Sequence, residues 1–132
     1  VIYGDEYSKI DLKKMLKFHK IKRGVATIVV HKSDHPEDST IVINDRNNRI
    51  KKMIKKPGKK WKKYGNLAAS SLYIVKKKVI KFIPPNAQSD FAKDIFPKMI
   101  RSGESLYGYQ TSEYIKDIGT PDRLKAVREY LK

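Results

Sequence analysis

Apolar positions change period along the chain, and the changes mark its elements. Val1-Ile2-Tyr3 forms a short apolar strand that ends in Gly4-Asp5. Asp11 has the side chain of an N-cap. Leu12, Met15, Leu16 and His19 follow at helical spacing with lysines between them, predicting a helix to about His19 that Gly24 ends. Val25 to Val30 is a continuous run with five β-branched residues, suited to a strand buried on both faces. The chain therefore opens strand–helix–strand, the pattern of a crossover between parallel strands.

His31 to Asp38 reads as a polar loop, Thr40 to Asn44 as a strand, Asn47-Asn48 as a tight turn and Arg49 to Lys55 as the returning strand. A lysine-rich connection, Pro57 to Gly65, leads to a strand from Leu67 to Val75. A short helix is expected over Lys76 to Phe82 and a turn at Pro84-Pro85-Asn86. Asp90 starts a helix toward Arg101, with Phe91, Ile95, Phe96 and Met99 on one face, Pro97 as a kink and Gly103 as its stop. Ser105 to Gln110 is a strand. Thr120 caps a last helix, with Pro121 at its first position, that runs to Leu131.

Composition narrows this picture. The 132 residues suit one domain. The absence of cysteine excludes a disulfide scaffold, a thiolate metal site and a cysteine nucleophile. Thirteen aromatic residues argue for a packed core. No apolar run approaches the roughly 20 residues that span a bilayer, and no signal-peptide pattern opens the chain, so a cytoplasmic location and no membrane partner are expected.

The net charge of +16 is concentrated: residues 49–81 hold thirteen basic and no acidic side chains. Such a segment suits a polyanion, either nucleic acid or a phosphate-bearing small molecule. Lysine drift on a solvated face explains it equally, since lysines outnumber arginines 24 to 6. Lys59 to Tyr64 interleaves Trp61 and Tyr64 with cations as single-strand binders do, but no RNA-recognition, KH or zinc-finger pattern accompanies it.

Several residues carry chemistry. Asp5, after a strand and a glycine, suits either a hard divalent cation or a plain turn, and Asp117 is a second carboxylate that can meet it across the sheet or serve only as a capping or turn residue. Lys56, at a strand end before Pro57, is a phosphate ligand by type. His31 and His35, with Asp34 and Asp38, have metal-ligand spacing but lie in a proline-containing loop. No Ser-His-Asp signature and no phosphate-cradling glycine loop occurs.

Taken in order, Gly4-Asp5, Asp11-Leu12, Phe18-His19, Ala26-Thr27-Ile28, Lys56-Pro57, Asn66, Leu72-Tyr73, Asp94 to Pro97, Gly108-Tyr109 and Asp117 to Pro121 form a series. It resembles the sugar-1-phosphate nucleotidyltransferases, the NDP-sugar pyrophosphorylases. His31 to Ser39 resembles the subgroup near mannose- and heptose-1-phosphate guanylyltransferases. The resemblance implies an α/β fold with a partial Rossmann-like mixed sheet flanked by helices. It implies attack of a sugar 1-phosphate on the α-phosphorus of a nucleoside triphosphate, giving an NDP-sugar and pyrophosphate. By motif match, Asp5 and Asp117 would hold Mg²⁺ as the catalytic metal ligands. Gly4, Lys56, Asn66 and Ser71 would bind substrate, with Lys56 on the sugar phosphate.

The sequence departs from the family in three places. The glycine-rich nucleotide loop of the family's N-terminal half has no counterpart here. Lys55 replaces the glutamate of the Glu-Lys-Pro motif, and Ser71 replaces a small glycine. Residues 1–132 thus read as the C-terminal part of a nucleotidyltransferase domain, inactive in transfer alone. The alternatives are a basic nucleic-acid-binding module and a non-catalytic interaction or regulatory subunit that completes its sheet with a partner, a second copy of the chain included.

Overall fold

Strand Ala26–Lys32 is the spine of the molecule, and its first five residues are all buried. The computed structural model describes residues 1–132. In chain order the elements are β1 (Glu6–Ser8), α1 (Leu12–Lys22), β2 (Ala26–Lys32), β3 (Thr40–Asn44), β4 (Ile50–Lys55), β5 (Leu67–Val75), α2 (Phe96–Arg101), β6 (Leu106–Gln110), β7 (Ile115–Asp117) and α3 (Pro121–Tyr130). Six-residue 3₁₀ segments occupy Gly58–Lys63 and Lys77–Phe82, and a π-helical turn, Phe91–Ile95, precedes α2. A five-stranded mixed sheet has the order β4-β3-β5-β2-β6, with β2 and β6 parallel and the other pairs antiparallel. A separate two-stranded ladder pairs β1 with β7.

Alternation along β2 assigns its two faces. Ala26, Ile28 and Val30 join Ile95, Phe96 and Met99 in the larger core under α2, while Val29 meets Met15 of α1 with Ile10 and Leu72. Helices thus cover opposite faces of the sheet, as the α/β reading requires.

The cap at Asp11 forms as expected: its Oδ1 accepts the Lys13 and Lys14 N–H groups at 3.0 and 3.1 Å. The helix it starts ends at Arg23 in the left-handed conformation, φ 57°, and not at Gly24. Gly24 serves close packing, since a Cβ there would lie 2.8 Å from the Ser105 carbonyl oxygen and 2.6 Å from the Tyr107 ring. Leu12 and Leu16 do not face the core: they are 54% and 43% exposed, and only Met15 and His19 of α1 are buried.

Three further expectations change. Val1 to Asp5 is not a strand; it touches the sheet through one antiparallel bridge, Ile2 with Leu72, and the strand lies after the Gly-Asp pair. His31 and Lys32 belong to β2 and not to the following loop. The strand Ile115–Asp117 has no counterpart in the sequence reading. The opening segment still runs parallel to β2, with β5 between them, because each is antiparallel to β5.

His19 lies on the buried face of α1 with its Nδ1 2.7 Å from Thr27 Oγ1. Burial, with the charge of Lys76 second, lowers its pKa, and burial does the same to His31. A histidine that resists protonation only when folded destabilises the fold as pH falls below its unfolded value of about 6.5; above that value the effect vanishes. The urea midpoint is therefore expected to drop between about pH 7 and pH 5, and less steeply in His19→Gln. Equal pH slopes in the two proteins would remove His19 from this account.

Candidate functional site

The β1–β7 ladder joins residues more than a hundred positions apart. Its register sets Glu6 opposite Asp117, and the Ile118 N–H donates to the Asp5 carbonyl at 2.8 Å. The chain then turns at Gly119, whose N–H donates to Asp117 Oδ1 at 2.7 Å, and enters α3 under the Thr120 cap. Stacked rings of Tyr114 and Tyr130, 3.7 Å apart, tie the far end of α3 to the approach to β7. Both predicted carboxylates are thereby brought to one place. A Cβ built on Gly119 would lie 3.2 Å from Asp117 Oδ1 and 4.0 Å from Asp5 Oδ2. The gap left by the missing side chain faces two carboxylates.

A cleft of about 1250 Å³ opens beside this gap. Its floor is the end of β2 and the middle of β5, and its far wall is the segment from Gln110 to Asp117 with Arg123. Asp117, Lys56 and Ser71 line it together. Asn66 and Gly4 do not: the Asn66 carbonyl accepts the Ser33 N–H at 2.9 Å at the entrance of β5, and Gly4 has nothing within 4 Å of a Cβ position. Asp5 is not among the residues that line the cleft either; its carboxylate approaches Gly119, two residues past the cleft-lining Asp117. Lys56 adopts φ 43°, a left-handed turn after β4 closed by its N–H donating to the Ser39 carbonyl at 3.0 Å. That turn separates Lys56 from Lys55, whose side chain stays outside the cleft. Of the eight lysines between 51 and 63, all exposed, only Lys56 lines it, so most of the basic segment lies on a solvated face.

Two residues missed in the sequence organise the site. Glu6 accepts from Ser70 Oγ at 2.7 Å and from the Ser71 N–H at 2.9 Å, bonding β1 to β5 across the cleft. Arg123 donates from its Nη1 to Asp117 Oδ2 at 2.9 Å. Glu6 adjoins Asp5 in the sequence, but its partners are over sixty residues away, so no local pattern announces the contact. His31 also faces the cleft; burial lowers its pKa against the pull of the Lys32 carbonyl and the charges of Glu6 and Asp34. His31, Asp34, His35 and Asp38 do not converge into a ligand set, and no group of three or more His, Cys, Asp or Glu side chains could hold a metal ion.

The donor set at Gly119 fits a hard divalent cation of the magnesium type. Such ions bind through one or two carboxylates and complete their shell with water and substrate phosphate oxygens, so a third protein ligand is not required.

Comparison with known proteins gives concordant results. A family model described as nucleotidyl transferase matches residues 1–132. The glucose-1-phosphate adenylyltransferase of Clostridium acetobutylicum is 36% identical over 128 residues, covering 91% of this chain and 33% of that protein. The enzyme of the same name from Clostridium novyi is 35% identical over 132 residues, covering 94% and 34%. The chain thus spans about a third of the length of the curated relatives it matches. Among solved structures, a Bacillus anthracis protein assigned as a glucose-1-phosphate thymidylyltransferase, in complex with sucrose, superposes with a TM-score of 0.76 at 20% identity. It is matched over 98% of this chain and 52% of its own. HddC from Yersinia pseudotuberculosis gives 0.73 at 23% identity, over 100% and 54%. At these identities the likeness establishes the shared α/β fold.

Proposed function

This chain belongs to the nucleotidyl transferase family, and from that premise we infer that it supplies the sugar-phosphate and metal-binding part of a sugar-1-phosphate nucleotidyltransferase. One observation carries the reading. Two carboxylates distant in sequence, Asp5 and Asp117, converge on Gly119 beside a cleft that also holds Lys56.

Asp5 and Asp117 would hold Mg²⁺, which neutralises charge on the reacting phosphates when bound. Lys56 presents its ammonium to the sugar phosphate as a point charge from a constrained turn. The Ser71 N–H and the Ser70 hydroxyl are held by Glu6, which fixes the cleft floor and keeps β5 aligned with β1. Asn66 and Gly4 act from outside the cleft, as supports of β5 and of the turn into Asp5. Alignment of the nucleoside triphosphate and choice of base need the glycine-rich loop, which has no counterpart in residues 1–132, so this stretch alone does not catalyse transfer. The relatives are named for glucose and adenylyl transfer, whereas His31 to Ser39 favours the mannose- or heptose-type guanylyl subgroup.

Binding of glucose 1-phosphate and mannose 1-phosphate in the presence of Mg²⁺, followed by calorimetry, tests this reading. Lys56→Ala is expected to weaken whichever sugar phosphate binds by about tenfold, the effect of a charge-assisted hydrogen bond. Equal affinity in the wild type and Lys56→Ala would place the phosphate elsewhere. A preference for nucleic acid with a steep salt slope, and none for either sugar phosphate, would support the binding-module alternative.

A further inference from the structure

Asp117 does not face the gap at Gly119 unopposed. Its Oδ1 accepts the Gly119 N–H at 2.7 Å, and its Oδ2 is held by the Arg123 guanidinium at 2.9 Å. Both side chains are partly open to solvent, Arg123 37% and Asp117 49% exposed, and both line the cleft that holds Lys56. Arg123 therefore occupies Oδ2, the Asp117 oxygen turned away from Gly119 and open to a second ligand, and it does so in the same cleft as Lys56.

We propose that Arg123 is an exchangeable positioning residue: it holds Asp117 until a divalent cation binds, yields Oδ2 to that cation, and turns to the phosphate of the arriving sugar 1-phosphate. The proposal rests on the metal-binding reading of Asp5 and Asp117 above. Three physical points lead to it. An exposed ion pair is weak enough to exchange, with a typical worth below about 1 kcal/mol. A guanidinium that loses its carboxylate keeps five donors in a planar fork, and phosphate oxygens match that fork. The backbone around Arg123 does not depend on its side chain, because the Thr120 hydroxyl caps α3 through the Arg123 N–H at 3.4 Å. The side chain can exchange partners while the helix start stays in place.

Arg123 then has opposite effects on the two ligands. Before phosphate arrives it competes with the cation for Asp117 and repels it. Once phosphate is present it adds an attractive contact. A residue with a purely structural role would move both affinities the same way or neither.

Mn²⁺ replaces Mg²⁺ as the probe, with binding followed by electron paramagnetic resonance and calorimetry on the whole chain. Wild type, Arg123→Gln, Arg123→Lys and Asp117→Asn are compared. Arg123→Gln is expected to tighten Mn²⁺ alone by about fivefold and to weaken glucose 1-phosphate in saturating Mn²⁺ by a similar factor. Arg123→Lys, which keeps the charge, should restore part of the phosphate affinity. If Arg123→Gln moves both affinities in one direction, or neither, while Asp117→Asn abolishes Mn²⁺ binding, the exchange is overturned and the metal reading stands. If Asp117→Asn binds Mn²⁺ as the wild type does, the metal reading fails and the exchange fails with it.

Discussion

Phe96→Ala is expected to cost about 3–5 kcal/mol of stability, the range for removing a fully buried aromatic side chain from a core. Phe96 has no exposed surface and begins α2 directly after a π-helical turn. Its ring meets Tyr73 edge-on at 4.9 Å and Phe91 at 5.4 Å, so it ties α2 and the preceding turn to β5 at once. Neighbouring Ile95 and Met99 cannot fill the void, because both are already buried against the same sheet face. For a domain of this size the melting temperature should fall by about 10 °C or more, measured by calorimetry at neutral pH. A fall of only 1–2 °C would show that this face of the sheet is loosely packed.

Asp117→Asn is expected to reduce divalent cation affinity by tenfold or more. The substitution keeps the shape, the Gly119 N–H bond and the exposure, and removes one of two formal charges at the gap. Charge is what a hard oxygen-seeking cation reads. Because Asp117 lies on the surface ladder and not in either core, urea stability should change by less than about 1 kcal/mol. Affinity and stability are thereby separable in one variant. Unchanged Mn²⁺ affinity would mean that the pair at Gly119 is not the cation site.

The sequence made most of the fold legible because its signals were local. The Thr40–Asn44 and Leu67–Val75 strands fall where their apolar runs place them, and the Asp11 and Thr120 caps form as their side chains predict. Errors arose where tertiary pairing decides. Residues 115–117 carry no β signal of their own and become a strand only because residues 6–8 come alongside. Leu12 and Leu16 have helical spacing yet face solvent, since Met15 and His19 alone take the two core positions that α1 offers.

The candidate site was legible in part. Asp5, Asp117, Lys56 and Ser71 were picked out by the order of motif residues along the chain, and the fold places the last three on one cleft. Glu6 and Arg123 were not, since each acts on a partner that the fold supplies: Glu6 reaches β5 across sixty-odd residues, and Arg123 reaches back past the Thr120 cap. The excess charge is of a third kind. Thirteen cations between residues 49 and 81 pointed to a polyanion, but only Lys56 of the dense stretch enters the cleft.

Phosphorus-31 relaxation of glucose 1-phosphate, measured with Mn²⁺ and the chain, decides whether Asp5, Asp117 and Lys56 form one site. It reports whether cation and sugar phosphate meet on this protein. Wild type should strongly enhance the relaxation rate beyond that of Mn²⁺ and sugar phosphate without protein. Asp5→Asn and Lys56→Ala should each remove most of that enhancement. Equal enhancement in all three proteins, or none in the wild type, would contradict a shared metal and sugar-phosphate site at Asp5, Asp117 and Lys56.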